Sequence, residues 1–581
     1  MSDGLDVVLT SKQIESNLEK ICALMAKAEL DGYYISGSDP YLNEYVKRSM
    51  NHRYYLSGFT GSTGDLLLLP SGGRLYVDGR YHEQADSETH QALTVVKVEH
   101  GNSNRKQLLS DIFELKIKRL GYESDRTSQL TVEQFKELEI ELFPSIDEVA
   151  QIVGSKSELP TNPIYALDEF ESKESYQDKI SKIIGDNEAL FLSQLDQISW
   201  LVNCRGFHLP YQSIFLARMV ALKEQALIFV PEGIPIEPKL QNHPFLTFIY
   251  VKSGGTLQQL VTLRKNHQID RIFYSKSSVT AEDYHYLSTV FNERILTPQE
   301  NMVADVAAKK SETEIVLFKE AFARANQAIF KTIKDVIRRF ECEERVSEQD
   351  FYNQTNTNYS DGGAITQSFK TISAVGKNSS IIHFGQPSSK NIISDGDLLL
   401  LDSGAYYKNG FATDTTRTFI AGEPAPWQRE IYTLVLKGLL QAQNAVFPVG
   451  TWGASIDALA RTPMQRLGYD YAHGTGHGIG VNAHEAGYSI SPKSNRPLVE
   501  GSIGSIEPGI YLPQKGGVRL ENIVLVEAHP KFSGMLHFVP LTCIGFEPKL
   551  IDYKMLTSEE QVMLVDYEEL CRKQGTSFTW S

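Results

Sequence analysis

Residues 473–484 read HGTGHGIGVNAH, the most distinctive segment of the chain. It holds three of the chain's 14 histidines, at positions 473, 477 and 484, together with four glycines. His473 and His477 have the i, i+4 spacing of a helical zinc site, but glycines at 474, 476 and 478 disfavour a helix. Glycines instead allow imidazoles and backbone to approach a crowded centre closely. The stretch therefore predicts a binding site on a loop, and a glycine-rich loop with structural histidines is the alternative.

Two aspartates lie upstream, on either side of a predicted hairpin. Asp402 ends the apolar run 398–401, and Asp414 opens a returning strand that continues to Ile420. Lys408-Asn409-Gly410 lies between them, and Asn-Gly is the most typical pair of a hairpin turn. A carboxylate at the end of a buried strand needs a partner, because burying an isolated charge is costly. The hairpin would bring the two carboxylates side by side, and a pair of surface aspartates near a turn is the alternative.

Two glutamates lie downstream, each within an apolar segment. Glu507 precedes a Pro-Gly turn in SIEPGIY, residues 505–511, and Glu521 lies in VRLENIVLV, residues 518–526. The second segment reads as one strand, whose period of two places Arg519 and Glu521 on the same face. A structural, salt-bridged glutamate is the alternative for each. Four acidic residues with one imidazole and no cysteine suit Mn, Co, Fe or Zn in a two-metal site.

These residues resemble the ligand set of the pita-bread metallopeptidases, which include methionine aminopeptidase, prolidase and aminopeptidase P. The segments LDSGAYYKNGFATDTTRT, HGTGHGIG and EPGIY…GVRLEN look most like aminopeptidase P. Upstream, SGFTGSTG and DGRYHEQA resemble its N-terminal domain, so the likeness covers nearly the whole chain. The resemblance implies removal of the first residue from peptides whose second residue is proline. It also implies two divalent ions per subunit, with Mn²⁺ expected and Zn²⁺ or Co²⁺ as alternatives.

The resemblance also implies the metal ligands. Asp402 and Glu521 are expected to bridge both ions, Asp414 to bind one ion, and His477 and Glu507 to complete the other. Two bridged ions lower the pKa of the water between them toward about 7, which supplies hydroxide at neutral pH.

Further roles follow from the same resemblance. Glu507 matches the general base, His484 matches the residue that stabilises the tetrahedral intermediate, and His383, in the segment Ile381–Phe384, matches a substrate-contacting histidine. The remaining candidates for the substrate site are His473, Tyr511, Arg519, which we expect to orient Glu521 or nearby ligands, and Arg80, which matches an arginine that reaches the substrate.

The sequence departs from the family at one point. The family places its two aspartates eleven residues apart, whereas Asp402 and Asp414 are twelve apart. A hairpin turn at Asn409-Gly410 would absorb the extra residue without moving either strand. Within a strand, the same insertion would turn one carboxylate to the opposite face.

The chain is long enough for two to four domains. Residues 1–158 alternate helical and strand patterns, with an amphipathic helix at 11–28 and strand-like Tyr54–Gly58, before a polar linker near 155–163. Residues 189–230 weakly repeat this pattern, with strand-like Ser213–Leu216. We therefore predict an α/β (α+β) protein with two creatinase-like modules, 1–158 and 159–303, followed by a catalytic pita-bread domain, 304–581.

Composition narrows the functional classes. The formal charge of −15 argues against nucleic acid or an anionic membrane as the main partner. Five scattered cysteines fit a reducing compartment, and the acidic start Met1–Asp6 lacks the pattern of a signal peptide. We expect a cytoplasmic protein without a membrane span, and the resemblance implies a homodimer.

Two rival functions remain open. Prolidase shares the ligand set but cleaves only dipeptides, and the repeated N-terminal modules favour aminopeptidase P. A non-catalytic binding protein on the same fold would typically lose ligands, and all five are present here. Creatinase lacks them. The preferred first residue and the physiological peptides do not follow from the sequence.

Overall fold

The computed structural model describes residues 8–99, 102–155, 158–168, 174–252 and 254–578. The acidic start at residues 1–6 and positions 156–157 of the predicted linker lie outside these ranges. The chain divides into two compact units, one of residues 1–210 and 214–303, the other of residues 211–213 and 304–581. Within the described ranges, none of the helices combines the length and the apolar composition that a bilayer crossing requires.

The first half of the first unit is a six-stranded sheet flanked by helices. Its helices are α1 (Ser11–Lys27), α2 (His52–Ser57), α3 (His82–Glu88), α4 (Asn104–Glu114), α5 (Gln129–Lys136) and α6 (Glu148–Val153). Its strands are β1 (Gly32–Ile35), β2 (Asp65–Leu69), β3 (Gly72–Val77), β4 (Leu93–Lys97), β5 (Arg119–Glu123) and β6 (Glu141–Ser145), in the sheet order β4-β3-β2-β1-β5-β6. The predicted helix at 11–28 is confirmed as α1, which Thr10 and Gln13 cap reciprocally.

The second half repeats this arrangement. Its helices are α7 (Tyr176–Ile180), α8 (Leu195–Leu201), α9 (Gly255–Asn266) and α10 (Ala281–Val290). Its strands are β7 (Tyr165–Ala166), β8 (Glu188–Leu192), β9 (Cys204–Arg205), β10 (Arg218–Leu222), β11 (Ala226–Pro231), β12 (Leu246–Val251), β13 (Arg271–Tyr274) and β14 (Leu296–Pro298). The sheet order β12-β11-β10-β8-β13-β14 matches the first sheet strand for strand. The predicted internal repeat is therefore confirmed.

Two local predictions in this unit were wrong. Tyr54–Gly58, expected as a strand, forms most of α2, because the Asn51 side chain caps the helix by accepting from the Tyr54 amide and Gly58 ends it with φ of 79°. Ser213–Leu216, also expected as a strand, is irregular, and β10 begins at Arg218.

The second unit packs long helices on antiparallel sheets. After α11 (Met302–Ala307), its helices are α12 (Glu312–Glu341), α13 (Glu348–Asp361), α14 (Pro426–Gln443), α15 (Gly453–Gln465) and α16 (Ser558–Lys573). Its strands are β15 (Thr366–Gln367), β16 (Ile372–Val375), β17 (Leu398–Ser403), β18 (Ala405–Tyr406), β19 (Thr415–Ile420), β20 (Val446–Pro448), β21 (Gly476–Gly478), β22 (Glu485–Ile490), β23 (Ile503–Ile506), β24 (Gly509–Leu512), β25 (Gly516–Arg519), β26 (Asn522–Ala528) and β27 (Met535–Pro540).

Two sheets of this unit position the candidate site. One has the order β16-β17-β19 and the other the order β20-β27-β26-β23-β21-β22. A capping box of Ser311 and Glu314 opens α12. Thr557 and Glu560 have the same reciprocal spacing and cap the last helix, α16.

Candidate metal centre

The hairpin of β17 and β19 places Asp402 and Asp414 on one face. Asp402 pairs with Thr416, Ser403 pairs with Thr415, and the same register continues to the bridge between Tyr406 and Ala412. Asp414 is therefore two positions along the strand from the partner of Asp402, and side chains two apart share a face. The register is unbroken from Asp402 to the bridge at Tyr406, so neither strand slips over this interval.

At Gly404 the backbone of this hairpin lies very close to its neighbours. A Cβ added to Gly404 would lie 1.8 Å from the carbonyl oxygen of Thr413 and 2.3 Å from the hydroxyl oxygen of Ser368. Only glycine fits at this position without moving the strand that carries Asp414.

The histidine-rich stretch is strand and turn rather than helix, as its glycines predict. His477 lies on β21, whose register shifts at Gly478. The Nδ1 atom of His477 lies 3.1 Å from the Gly478 carbonyl oxygen. A carbonyl only accepts hydrogen bonds, so Nδ1 carries the proton and Nε2 keeps the lone pair of the neutral ring. Nε2 lies 3.7 Å from Asp414 Oδ2 and 3.5 Å from Glu507 Oε1.

Both glutamates lie where strands are interrupted. Glu507 follows β23 and precedes β24, while Glu521 follows β25 and precedes β26. The predicted single strand over 518–526 was therefore wrong, because β25 pairs with β24 and β26 pairs with β23 and β27. The break still leaves Arg519 and Glu521 near one another, since the hydroxyl of Thr416 contacts both side chains.

The five residues form one cluster. Ligand atoms of Asp414, His477 and Glu521 lie within 4.8 Å of one another, close enough to hold one metal ion. Thr416 donates its hydroxyl proton to Glu521 Oε2 at 3.0 Å. Arg519 donates from Nη2 to Asp402 Oδ2 at 2.6 Å.

Charge repulsion and burial dominate the electrostatics of the cluster. Burial raises the pKa of Asp414 well above its ordinary value, and the neighbouring charges of Glu521, Asp402 and Glu507 raise it further. The pKa of Glu521 is raised for the same reasons, with burial the largest cause, and Arg519 partly offsets the repulsion. Carboxylates held this close need a countercharge.

Two oxygen atoms of the cluster fit a cation. Among the described residues, Asp402 Oδ1 and Glu521 Oε1 are buried and have no hydrogen-bond partner. Each belongs to a carboxylate whose other oxygen is bonded, so the orphaned atoms are the ones left to bind a ligand. Hard carboxylate oxygens with one imidazole are a donor set for divalent ions such as Mn²⁺ or Zn²⁺. The residues present therefore fit the metal that the sequence predicts.

A hydrogen-bonded chain joins three predicted substrate-site residues. Arg519 donates to the hydroxyl oxygen of Tyr511 at 3.0 Å, and that oxygen lies 2.8 Å from Nε2 of His473. Burial raises the pKa of Tyr511 to about 12, which keeps its hydroxyl protonated at neutral pH. His473 Nδ1 lies 2.7 Å from the Gly474 carbonyl oxygen, so Nε2 is the acceptor for the Tyr511 proton.

The other predicted histidines lie on loops. The His484 ring centroid is 4.3 Å from that of His477, with the rings at 74°. His383 lies in a turn beyond the 3₁₀ helix Gly376–Ser380. The carbonyl oxygen of the preceding residue, Ile382, accepts from Arg519 at 3.3 Å.

Arg80 belongs to the first compact unit, where Asp78 engages it. Its Nε and Nη2 donate to the two oxygens of Asp78, each at 2.9 Å. This bidentate pair orients the guanidinium and leaves further N–H groups of the fork for other acceptors.

Sequence reasoning missed the residues that support the site. Arg461 donates to the backbone carbonyls of Tyr471 and His473 and pairs with Asp457, which accepts from the hydroxyl of Thr475. Lys310 pairs with Glu485 beside the His484 loop. Ion pairs this far apart in sequence leave no local pattern, although the i, i+4 spacing of Asp457 and Arg461 is a signal for their own pair.

Comparison with known proteins adds three family matches. A model of metallopeptidase family M24 matches residues 318–528. Two models of the creatinase/prolidase N-terminal domain match residues 17–153 and 155–314. These matches account for the repeated sheets of the first unit and for the unit that carries the cluster.

Relatives match along almost the whole chain. A protein of Fusarium vanettenii named "Probable Xaa-Pro aminopeptidase P" is 30% identical, over 95% of this chain and 94% of its own. A protein of Metarhizium acridum with the same name is 29% identical, over 97% and 96%. Among solved structures, the X-prolyl aminopeptidase of Caenorhabditis elegans, titled a cytosolic enzyme with a di-nuclear active site, has a TM-score of 0.87 at 22% identity, over 97% of this chain and 96% of its own.

Proposed function

The chain belongs to the family of Xaa-Pro aminopeptidase P, and from this premise we propose that it hydrolyses the first peptide bond of peptides with proline at position two. The observation that carries the proposal is the cluster of four carboxylates and one imidazole. Two buried oxygen atoms of this cluster are unbonded among the described residues. The match to the Fusarium vanettenii protein, at 30% identity over 95% of the chain, supports the same reaction.

Asp402, Asp414, His477, Glu507 and Glu521 would hold two divalent ions, and Mn²⁺ fits their hard donor set best. When bound, such ions lower the pKa of a water and stabilise charge that develops on the substrate carbonyl. Hydrogen bonds with neighbouring groups orient three of these ligands: Thr416 orients Glu521, Arg519 orients Asp402, and the Gly478 carbonyl orients the His477 ring.

Separate residues would carry out proton transfer and charge stabilisation. A carboxylate oxygen of Glu507 would accept the proton of the attacking water, since it lies 3.5 Å from His477 Nε2 and is partly exposed. His484, packed against the His477 ring, would stabilise the negative charge of the tetrahedral intermediate. His383 would contact the substrate from the loop that follows Ser380.

A polar chain would position the substrate next to these groups. Tyr511 would present its ring to the proline, while its hydroxyl stays bonded to Arg519 and His473. Arg80, held by Asp78, is a further candidate for substrate binding. A bond to proline nitrogen lacks an N–H, so an apolar slot and leaving-group protonation matter more than backbone pairing.

The wider organisation belongs to the same proposal. We place the domain boundaries at residues 1–158, 159–303 and 304–581, near the starts of the family matches at 155 and 318. A cytoplasmic location is consistent with five cysteines that are all free. The enzyme would act as a homodimer on peptide substrates.

Metal removal tests the proposal most simply. Chelation should abolish hydrolysis of an Xaa-Pro-Zaa peptide, and Mn²⁺ should restore it. Asp414→Ala should bind less metal by elemental analysis and lose nearly all turnover, because it removes one of the three side chains whose ligand atoms lie within 4.8 Å of one another. Full activity in thoroughly chelated protein would contradict the two-metal mechanism, and an unaffected Asp414→Ala variant would remove that residue from the ligand set.

A further inference from the structure

A buried carboxylate outside the cluster gathers donors from one loop. Glu348, the first residue of α13, is fully buried. Its Oε1 accepts from the Val375 amide at 3.0 Å, from Asn378 Nδ2 at 2.9 Å and from Asn391 Nδ2 at 3.2 Å. Its Oε2 accepts from the Ser388 amide at 3.0 Å.

These donors bracket a single segment, residues 376–391, which we name the His383 loop. Val375 and Asn378 lie at its beginning, and Ser388 and Asn391 lie at its end. The backbone of α13 adds a further bond, because the Glu348 amide donates to the Asn391 carbonyl at 2.9 Å. One side chain therefore ties both ends of the loop together.

The middle of the His383 loop contacts the candidate metal centre. The Ile382 carbonyl accepts from Arg519, which also binds Asp402. Ser379 accepts through its hydroxyl from the Gly517 amide at 2.8 Å, on the strand that leads to Arg519. Displacement of the loop ends would therefore move groups next to the reacting bond.

Helix capping does not explain Glu348. The cap of α13 is a reciprocal pair, in which Ser347 accepts from the Asp350 amide and Asp350 accepts from the Ser347 amide. The side-chain bonds of Glu348 go to the loop instead. All four partners are N–H donors, so they match an ionised carboxylate, which only accepts.

We propose that Glu348 is a positioning residue that fixes the His383 loop and thereby sets the place of His383 against the substrate. The inference rests on the proposed function for the role of His383, but not for the clamping of the loop. A bound geometry that shifts by about 1 Å costs about 100-fold in rate, so a distant clamp of this kind affects catalysis strongly.

A double-mutant cycle tests the catalytic half of the inference. Glu348→Gln keeps the shape but replaces one acceptor oxygen by a donor, which opposes a loop N–H. We expect it to lower kcat/KM by about 10- to 100-fold with unchanged metal content. In a His383→Ala background the same change should cost less than about twofold, because the residue it positions is gone. If Glu348→Gln lowered kcat/KM by the same factor in the wild-type and His383→Ala backgrounds, the inference would be overturned.

The matched control is Asp350→Asn, which removes a carboxylate from the same helical turn without touching the loop. Its kcat/KM should stay within about twofold of wild type, since surface and cap changes act on stability. A loss equal to that of Glu348→Gln would reduce Glu348 to a general structural role and overturn the proposal.

Hydrogen exchange tests the clamp itself in metal-free protein. In Glu348→Gln, peptides that cover residues 375–391 should exchange faster than in wild type, while Asp350→Asn should leave them unchanged. Unchanged exchange in Glu348→Gln would overturn the inference. This readout needs no activity, so a wild-type protein inert toward Xaa-Pro peptides would reject the proposed function and leave the clamp to be decided by exchange.

Discussion

Asp402 and Glu521 each have one carboxylate oxygen that could bind a cation. Each keeps one oxygen bonded to a protein group, Arg519 or Thr416, and one buried oxygen with no partner among the described residues. Orphaned buried acceptors weaken a fold unless a ligand satisfies them. Metal binding should therefore stabilise the second unit as well as enable the reaction.

His484 provides a prediction at the same scale. His484→Ala should lower kcat by about 10²- to 10⁴-fold, the usual contribution of a positioned acid-base or electrostatic group. Metal content should stay at the wild-type value, because the proposed role of His484, packed against the ring of His477, is to stabilise the intermediate and not to bind metal. Elemental analysis beside steady-state kinetics makes the comparison. Loss of metal in this variant would instead assign His484 to the ligands.

Sequence patterns revealed the candidate ligands but not their supports. Asp402, Asp414, His477, Glu507 and Glu521 stand in short motifs whose chemistry is local. Thr416 gave no such signal, because its contact with Glu521 spans 105 positions of sequence. Glu348 was equally hidden, since a glutamate at a helix start is common and its four loop donors come together only in the folded chain.

At the scale of elements, the hairpin of β17 and β19 keeps the two aspartates together. Its register is continuous from Asp402 to the bridge at Tyr406. Gly404 lies opposite Asp414 and has no room for a side chain. The hairpin therefore cannot accept a larger residue at position 404.

Gly404→Ala tests this conclusion. The added Cβ would meet the Thr413 carbonyl at 1.8 Å, so the strand must shift. We expect a loss of about 1–3 kcal/mol in stability, as for other overpacked sites, together with weaker metal binding. Gly362→Ala is the control, because its Cβ would meet nothing closer than 3.3 Å. Thermal unfolding of metal-free and metal-loaded protein would measure both, and equal behaviour of the two variants would contradict the account.

The misassigned elements share one physical cause. Tyr54–Gly58 is rich in residues that favour strands, yet the caps Asn51 and Gly58 make it helical. The segment 518–526 alternates like one strand, yet it divides between two sheets at Leu520–Glu521. Local propensity is weak where tertiary pairing decides the outcome.

At the scale of the whole molecule, duplicated sheets precede the unit that carries the metal cluster. The two six-stranded sheets share one strand order, although the sequence repeat behind them is weak. Topology is kept here by the spacing of buried apolar strands rather than by residue identity. The repeat was predictable in outline for that reason, while its strand boundaries were not.

Assembly is a second prediction at this scale. We expect a homodimer, and light scattering of the full-length protein should give twice the mass of 65.2 kDa. The same sample should hydrolyse an Xaa-Pro-Zaa peptide at the protein concentration used for light scattering. A fully active species with the mass of one chain would contradict the dimer. It would not bear on the proposed metal centre.

The substrate rule tests the central claim most directly. Wild-type protein with Mn²⁺ would be given tripeptides Xaa-Pro-Zaa and Xaa-Ala-Zaa with the same first and third residues, the N-acetylated proline peptide, and the dipeptide Xaa-Pro. We expect release of the first residue from the proline tripeptide, far slower cleavage of the alanine tripeptide, and no cleavage after acetylation. Equal rates on the proline and alanine tripeptides would contradict this expectation, and cleavage confined to the dipeptide would identify a prolidase instead.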